Sequence, residues 1–61
     1  MIAENLKNAM DERGITIYRL SKMIGMKYEL LRRVFSGERK LMAEELIEIL
    51  DKTGISINEI K

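Results

Sequence analysis

Four glycines divide this chain into segments of helical length. They are Gly14, Gly25, Gly37 and Gly54, and no proline interrupts the stretches between them. Apolar residues inside these stretches recur at helical spacing; in the first, Ile2, Leu6, Ala9 and Met10 follow the i, i+4, i+7, i+8 pattern of an amphipathic helix. Glycine is common just beyond a helix end. The sequence therefore predicts an all-α fold.

The pattern predicts five helices in a single compact domain that spans residues 1–61. The first precedes Gly14, the second lies between the N-cap Thr16 and Gly25, the third runs from about residue 27 or 28 to 35, and the fourth spans 41–52. Ser56 to Glu59 has the S-x-x-E form of a capping box, which starts a short fifth helix.

Several classes of function are excluded by composition. The chain has no cysteine and no histidine, so it lacks disulfides, the usual zinc ligands, a thiol nucleophile and a general base that titrates near neutral pH. The adjacent acids Asp11–Glu12 and Glu44–Glu45 point about 100° apart on a helix, which is typical of a solvated face. No apolar run approaches the roughly 18 residues of a membrane span. We therefore expect a cytoplasmic protein that is not an enzyme and holds no metal or cofactor.

The charge of +1 hides an uneven distribution along the chain. Residues 1–12 carry one base and three acids, a net charge of −2, and residues 41–61 carry two bases and five acids, a net charge of −3. Between them, residues 13–40 carry eight bases and two acids, a net charge of +6. A basic block of this kind is expected for a surface that binds a polyanion, although ordinary scatter of charge on helices is the alternative.

The segment from Ile17 to Val34 meets the mechanical requirements of a helix-turn-helix. Two short helices that cross steeply need a small residue at the crossing, a glycine in the turn and apolar residues on both sides. Ser21 and Gly25 fill the first two requirements, and the apolar positions are Leu20, Ile24, Met26, Leu31 and Val34. With the closing Gly54-Ile55-Ser56-Ile57 segment, the chain resembles the Cro/phage-repressor (XRE-type) helix-turn-helix DNA-binding family over essentially all its residues.

This resemblance implies a lambda-repressor-like fold with the helix-turn-helix at about 17–35 and the third helix, about 28–35, in the major groove. The candidate base contacts are Tyr28, Glu29, Arg32 and Arg33. An arginine can bind O6 and N7 of guanine, a glutamate can accept from cytosine N4, and Tyr28 can meet a thymine methyl or a phosphate. Ion pairs from Glu29 to Arg32 and Arg33, typical of any exposed helix, are the alternative interpretation.

Phosphate contacts are expected on either side of the third helix. The candidates are the side chains of Arg19, Lys22, Lys27, Arg39 and Lys40 and the backbone N–H of Ile17. The family commonly has Gln at position 17 and Ser or Thr at position 27, so these two contacts depart from its pattern. Phe35-Ser36 replaces a frequent Glu-Asn, and we expect Phe35 to make an apolar contact with Met10 instead.

The resemblance implies a small bacterial or phage transcriptional regulator, a repressor or Cro-like protein, bound to a two-fold DNA operator as a weak homodimer. It is either a minimal regulator or the DNA-binding part of a longer repressor. Ile55, Ile57 and Ile60 are more apolar than one short helix needs to pack one face, so they are the candidate dimer contacts. We expect one or two of them to cover a second subunit, with Ile57 or Ile60 at or near the contact; the alternative is that all three close the monomer core. The alternatives are an antitoxin-type autorepressor and a protein-interaction module on the same fold. DNA binding also implies a place at the nucleoid.

Overall fold

The computed structural model describes residues 2–61, which form four α-helices and one 3₁₀ turn. The helices are α1 (Ile2–Glu12), α2 (Ile17–Ile24), α3 (Tyr28–Ser36) and α4 (Ala43–Thr53), and the 3₁₀ turn spans Ile57–Glu59. No strand occurs within residues 2–61. The all-α prediction is confirmed, but the count of five helices is wrong.

The predicted fifth helix is a single 3₁₀ turn, and the residue that follows it is buried and bonded to α1. The capping box is present: the Glu59 carboxylate accepts the Ser56 N–H at 2.8 Å, and the Ser56 hydroxyl accepts the Asn58 N–H at 3.2 Å. Immediately afterwards Ile60 is fully buried, and the Asn5 amide donates to the Ile60 carbonyl at 3.2 Å. These contacts end the segment after one turn.

Local signals in the sequence set the ends of α2 and the turn before α3. The Thr16 hydroxyl accepts the Arg19 N–H at 3.0 Å and caps α2. Gly25 ends α2 with φ +67°, a left-handed conformation that costs a glycine nothing, and the N–H groups of Gly25 and Met26 both point to the Ser21 carbonyl. Lys27 precedes α3 without a side-chain cap.

Helix α4 begins at Ala43, two residues later than predicted, because Glu45 organises the preceding chain. Its carboxylate accepts the Met42 N–H at 2.9 Å and two hydrogen bonds from the Arg39 guanidinium at 2.9 and 2.8 Å. Met42 is thereby held extended as the N-cap residue. The helix then continues to Thr53, one residue beyond the predicted end.

A single apolar core joins all the elements. Its buried members are Leu6, Ala9, Met10, Ile15, Leu20, Leu31, Ile49, Ile55 and Ile60. Helix α2 packs on α3 and α4, while α1 packs on α3 and on the 3₁₀ turn. Ser21, the small residue predicted at the crossing, is buried, and its hydroxyl donates to the Tyr18 carbonyl. Phe35 packs against the cluster that contains Met10, although their direct contact stays a prediction.

Replacing Leu31, which is fully buried, should unfold much of the protein. The change Leu31→Ala is expected to cost about 2–5 kcal/mol, and a domain of this size has little stability to lose. Ile47→Ala, at a position that is 66% exposed, is the matched control and should melt like the wild type. Circular dichroism melting curves measure both; a wild-type curve for Leu31→Ala would contradict the core described above.

Candidate nucleic-acid interface

Helix α3 presents one polar face to solvent. Leu31 and Val34 are buried and Leu30 and Phe35 are partly buried, which fixes the rotation of the helix about its axis. The exposed or half-exposed residues are Tyr28, Glu29, Arg32, Arg33 and Ser36. The predicted phase of α3 is therefore confirmed, and its four candidate base contacts lie together on the solvent side.

Glu29 pairs with both arginines of this face. Its carboxylate lies 2.6 Å from a terminal nitrogen of Arg32 and 3.7 Å from Nε of Arg33. The hydrogen bond from Arg32 lowers the pKa of Glu29, so the acid stays charged. Exposed pairs of this kind are weak in water, which leaves the arginines available to a stronger acceptor. The ion pairs of the alternative interpretation are thus present in the free protein, and the base contacts stay predictions.

The eight bases of residues 13–40 fall into two groups. Arg13 pairs with Glu59 at 3.0 Å, Arg39 with Glu45 at 2.8 Å, and Arg32 and Arg33 with Glu29. The second group has no carboxylate within ion-pair distance among residues 2–61, and consists of Arg19, Lys22, Lys27 and Lys40. All four are exposed. We call them the unpaired cations.

Arg39 has a structural role that sequence reasoning missed. Two of its guanidinium nitrogens donate to the two oxygens of Glu45, six residues further along. The hydrogen bond from Arg39 lowers the pKa of Glu45, and the N–H of Met42 acts in the same direction. A phosphate contact by Arg39 would have to compete with this pair, so its place among the phosphate contacts is weaker than that of the unpaired cations.

Tyr18 was not singled out from the sequence, yet it connects α2 to the start of α3. Its ring centroid lies 6.2 Å from that of Tyr28, with the ring planes tilted by 56°. The Lys22 ammonium lies 5.3 Å from the centroid of the Tyr18 ring. Positions 18 and 28 are brought together by the crossing of α2 and α3. Their spacing in the sequence therefore does not predict the contact between the two rings.

A groove of about 380 Å³ runs beside this aromatic pair. It is lined by Lys7, Asp11, Gly14, Ile15, Thr16, Ile17, Tyr18 and Tyr28. The first backbone N–H groups of a helix have no acceptor within the helix. In α2 the Thr16 hydroxyl accepts the N–H of Arg19. Ile17, the first residue of α2, lines this groove, and contact of its N–H with a phosphate stays a prediction.

The three candidate dimer contacts separate on burial. Ile55 and Ile60 are buried in the monomer core, as the alternative interpretation expects, so the predicted contact with a second subunit is limited to Ile57. Both belong to the apolar core, whereas Ile57, the first residue of the 3₁₀ turn, is 45% exposed. Sequence reasoning also missed other exposed apolar residues, which are Ile2, Met42 and Ile47.

Two further classes of site were searched for in residues 2–61. No cluster of acidic, histidine or cysteine side chains there is arranged to hold a metal ion. None of the helices there has the length and apolar character needed to cross a membrane.

The chain matches a model of a protein family. The sequence model described as helix-turn-helix matches residues 6–60, nearly the whole chain, including α2, the turn at Gly25 and α3. No curated protein and no solved structure matches significantly.

The lowered pKa of Glu45 makes one part of the stability depend on pH. A carboxyl whose pKa is lower in the folded state stabilises the fold above its unfolded value, about 4.3, and this contribution disappears as pH falls through the folded value. Glu45→Gln should therefore melt below the wild type at pH 7, by less than Leu31→Ala, and the gap should close towards about pH 3.

The matched control is Glu48→Gln, an exposed acid on α4 without an ion pair among the described residues. It should follow the wild type at both pH values. Thermal melts by circular dichroism measure the gap; a gap for Glu45→Gln that stays constant from about pH 7 to 3 would show that charge is not its cause.

Proposed function

Because the chain belongs to the helix-turn-helix family of the Cro and phage-repressor type, a DNA-binding family, we propose that it is a transcriptional regulator that binds specific sequences of double-stranded DNA. In this proposal α3 enters the major groove, and the protein acts as a repressor at the nucleoid of a bacterial or phage-infected cell. It is a binding protein and not an enzyme.

The observation that carries the proposal is that the unpaired cations, which are exposed, lie on α2 or next to the ends of α3. Arg19 and Lys22 lie on the exposed side of α2, and Lys22 contacts Tyr18, which in turn contacts the first residue of α3. Lys27 immediately precedes α3, and Lys40 follows the turn after it. Cations that no acid neutralises are what contact with phosphates on both sides of a groove requires.

The residues on the polar face have distinct roles in this proposal. Arg32 and Arg33 exchange their bonds with Glu29 for bonds to O6 and N7 of guanine, which offer a planar acceptor pair to a guanidinium. Glu29 either accepts from cytosine N4 or keeps the arginines extended along the helix before DNA arrives. In both roles the carboxylate must be charged, and the hydrogen bond from Arg32 favours that state.

The proposal includes a weak homodimer on a two-fold operator. One recognition helix contacts few base pairs. A two-fold dimer doubles the number of base pairs contacted, because its two helices bind half-sites about one helical turn apart. Of the three candidate dimer contacts, only Ile57 is exposed. It lies in the 3₁₀ turn, which the ion pair between Glu59 and Arg13 connects to the end of α1. We place the contact between subunits at or near Ile57.

The unpaired cations should make DNA affinity strongly dependent on salt. Four phosphate contacts per subunit correspond to a log–log slope of about −3.6, or a loss of about 100-fold between roughly 50 and 200 mM salt. Arg19→Ala and Lys40→Ala should each weaken binding to specific and random duplex alike and reduce the magnitude of the slope by about one.

Lys52→Ala on α4 is the matched control for these variants and should leave the slope unchanged. Gel retardation or fluorescence anisotropy with labelled duplex gives the affinities. A slope near zero would contradict contact with phosphates, and no retardation of any duplex at low salt would favour a protein-interaction module on the same fold.

A charge at the proposed subunit contact should separate dimer formation from DNA binding. Ile57→Lys should abolish cooperative binding to an operator with two half-sites, because a buried ammonium opposes the contact, while binding to one half-site stays at the wild-type level. Ile47→Lys tests the most exposed apolar residue of α4 in the same way and should remain cooperative. The opposite result, with only Ile47→Lys losing cooperativity, would move the interface to α4.

A further inference from the structure

Tyr18 and Tyr28 are two of the three aromatic residues in the chain, and both are exposed. Their exposed fractions are 59% and 43%, so neither ring is part of the monomer core. The centroid separation of 6.2 Å and the tilt of 56° nevertheless lie within the attractive range for aromatic pairs. The two rings thus form a small apolar surface beside solvent, on the side of the molecule where α2 and α3 begin.

This surface is ordered from the α2 side. The Lys22 ammonium lies 5.3 Å from the Tyr18 ring centroid, within the distance for a cation–π contact. The Ser21 hydroxyl donates to the Tyr18 carbonyl, and Ser21 is itself buried at the helix crossing. The Tyr18 ring therefore contacts Lys22 on its own helix and, across the crossing, the ring of Tyr28, the first residue of α3.

The apolar surface formed by the two tyrosine rings can match only one kind of group in the major groove of B-form DNA. The base edges in the major groove offer hydrogen-bond donors and acceptors, except for the C5-methyl group of thymine, which is apolar. The charged groups of the face, on Glu29, Arg32 and Arg33, recognise polar groups and not a methyl group. The aromatic pair is the part of the interface that can.

We propose that the Tyr18–Tyr28 pair selects thymine at one position of each half-site by contact with its C5-methyl group. The ring of Tyr28 touches the methyl group, and Tyr18 acts as a positioning residue that holds this ring. The inference rests on the proposed function, since it requires α3 to lie in the major groove. It assigns a role in specificity to Tyr18, a residue of α2.

Replacement of thymine by deoxyuridine tests the contact, because this removes the methyl group and leaves every hydrogen-bonding group of the base in place. A half-site is first obtained by selection from a random duplex pool with the wild-type protein, and each thymine is then replaced in turn. At one position the wild type should lose about three- to fivefold in affinity, the effect of burying one methyl group.

Variants then assign this loss to the aromatic pair. Tyr28→Ala should bind the thymine and deoxyuridine half-sites equally, and Tyr18→Ala should reduce the ratio of the two affinities. Tyr28→Phe keeps the ring and should keep the ratio. Arg33→Ala is the control on the same face of α3: it should weaken binding to both half-sites and leave the ratio unchanged.

Each failure has its own signature. If no replaced thymine matters, or if Tyr28→Ala retains the wild-type ratio, the methyl contact is wrong while DNA binding stands. If the wild type binds no duplex at low salt, the proposed function fails and the inference with it. Circular dichroism checks that each variant is folded; should Tyr28→Ala lose helical signal, Tyr28→Gln replaces it, with the same expected equality.

Discussion

The crossing of α2 over α3 is the constraint on which the rest of the structure depends. Leu20 from α2 and Leu31 from α3 are fully buried in one core, with Ser21 at the crossing. No disulfide supports that core, because the chain has no cysteine, so apolar burial must offset the entropy of ordering the chain almost unaided. The crossing also brings the starts of both helices to one side, where Tyr18 meets Tyr28. Packing and the candidate interface therefore have the same origin.

Two carboxylates, which we call polar clamps, fix segments of chain that the apolar core does not hold. Glu45 fixes the segment before α4 through Arg39 and the Met42 N–H, and Glu59 fixes the 3₁₀ turn through Ser56 and Arg13. In each clamp one carboxylate satisfies a backbone N–H and pairs with an arginine that is distant in sequence or separated by a turn. Both clamps lower the pKa of the acid, which ties the order of these loops to its charged state.

Sequence reasoning succeeded where the cause is local. The Thr16 cap, the turn at Gly25 and the buried face of α3 each follow from a few adjacent residues and were predicted correctly. The ion pairs of Arg13 and Arg39 could not be predicted, since each depends on where the chain places an acid many residues away or beyond a turn. The sequence could not decide which of Ile55, Ile57 and Ile60 is exposed, because that depends on how the 3₁₀ turn and Ile60 pack on the core; in the structure only Ile57 is exposed among the three.

The pairing of the basic residues shows why net charge along the sequence is a poor guide to the charge that a polyanion meets. Residues 13–40 have a net charge of +6, yet Arg13 and Arg39 are neutralised by acids from residues 41–61, outside that block. These two arginines order the chain, while Arg19, Lys22, Lys27 and Lys40 retain a charge that is free to act on a ligand. Arg32 and Arg33 are intermediate, since Glu29 holds them in exposed and therefore weak pairs. A ligand must therefore offer acceptors that compete with the Glu29 carboxylate to engage these two arginines.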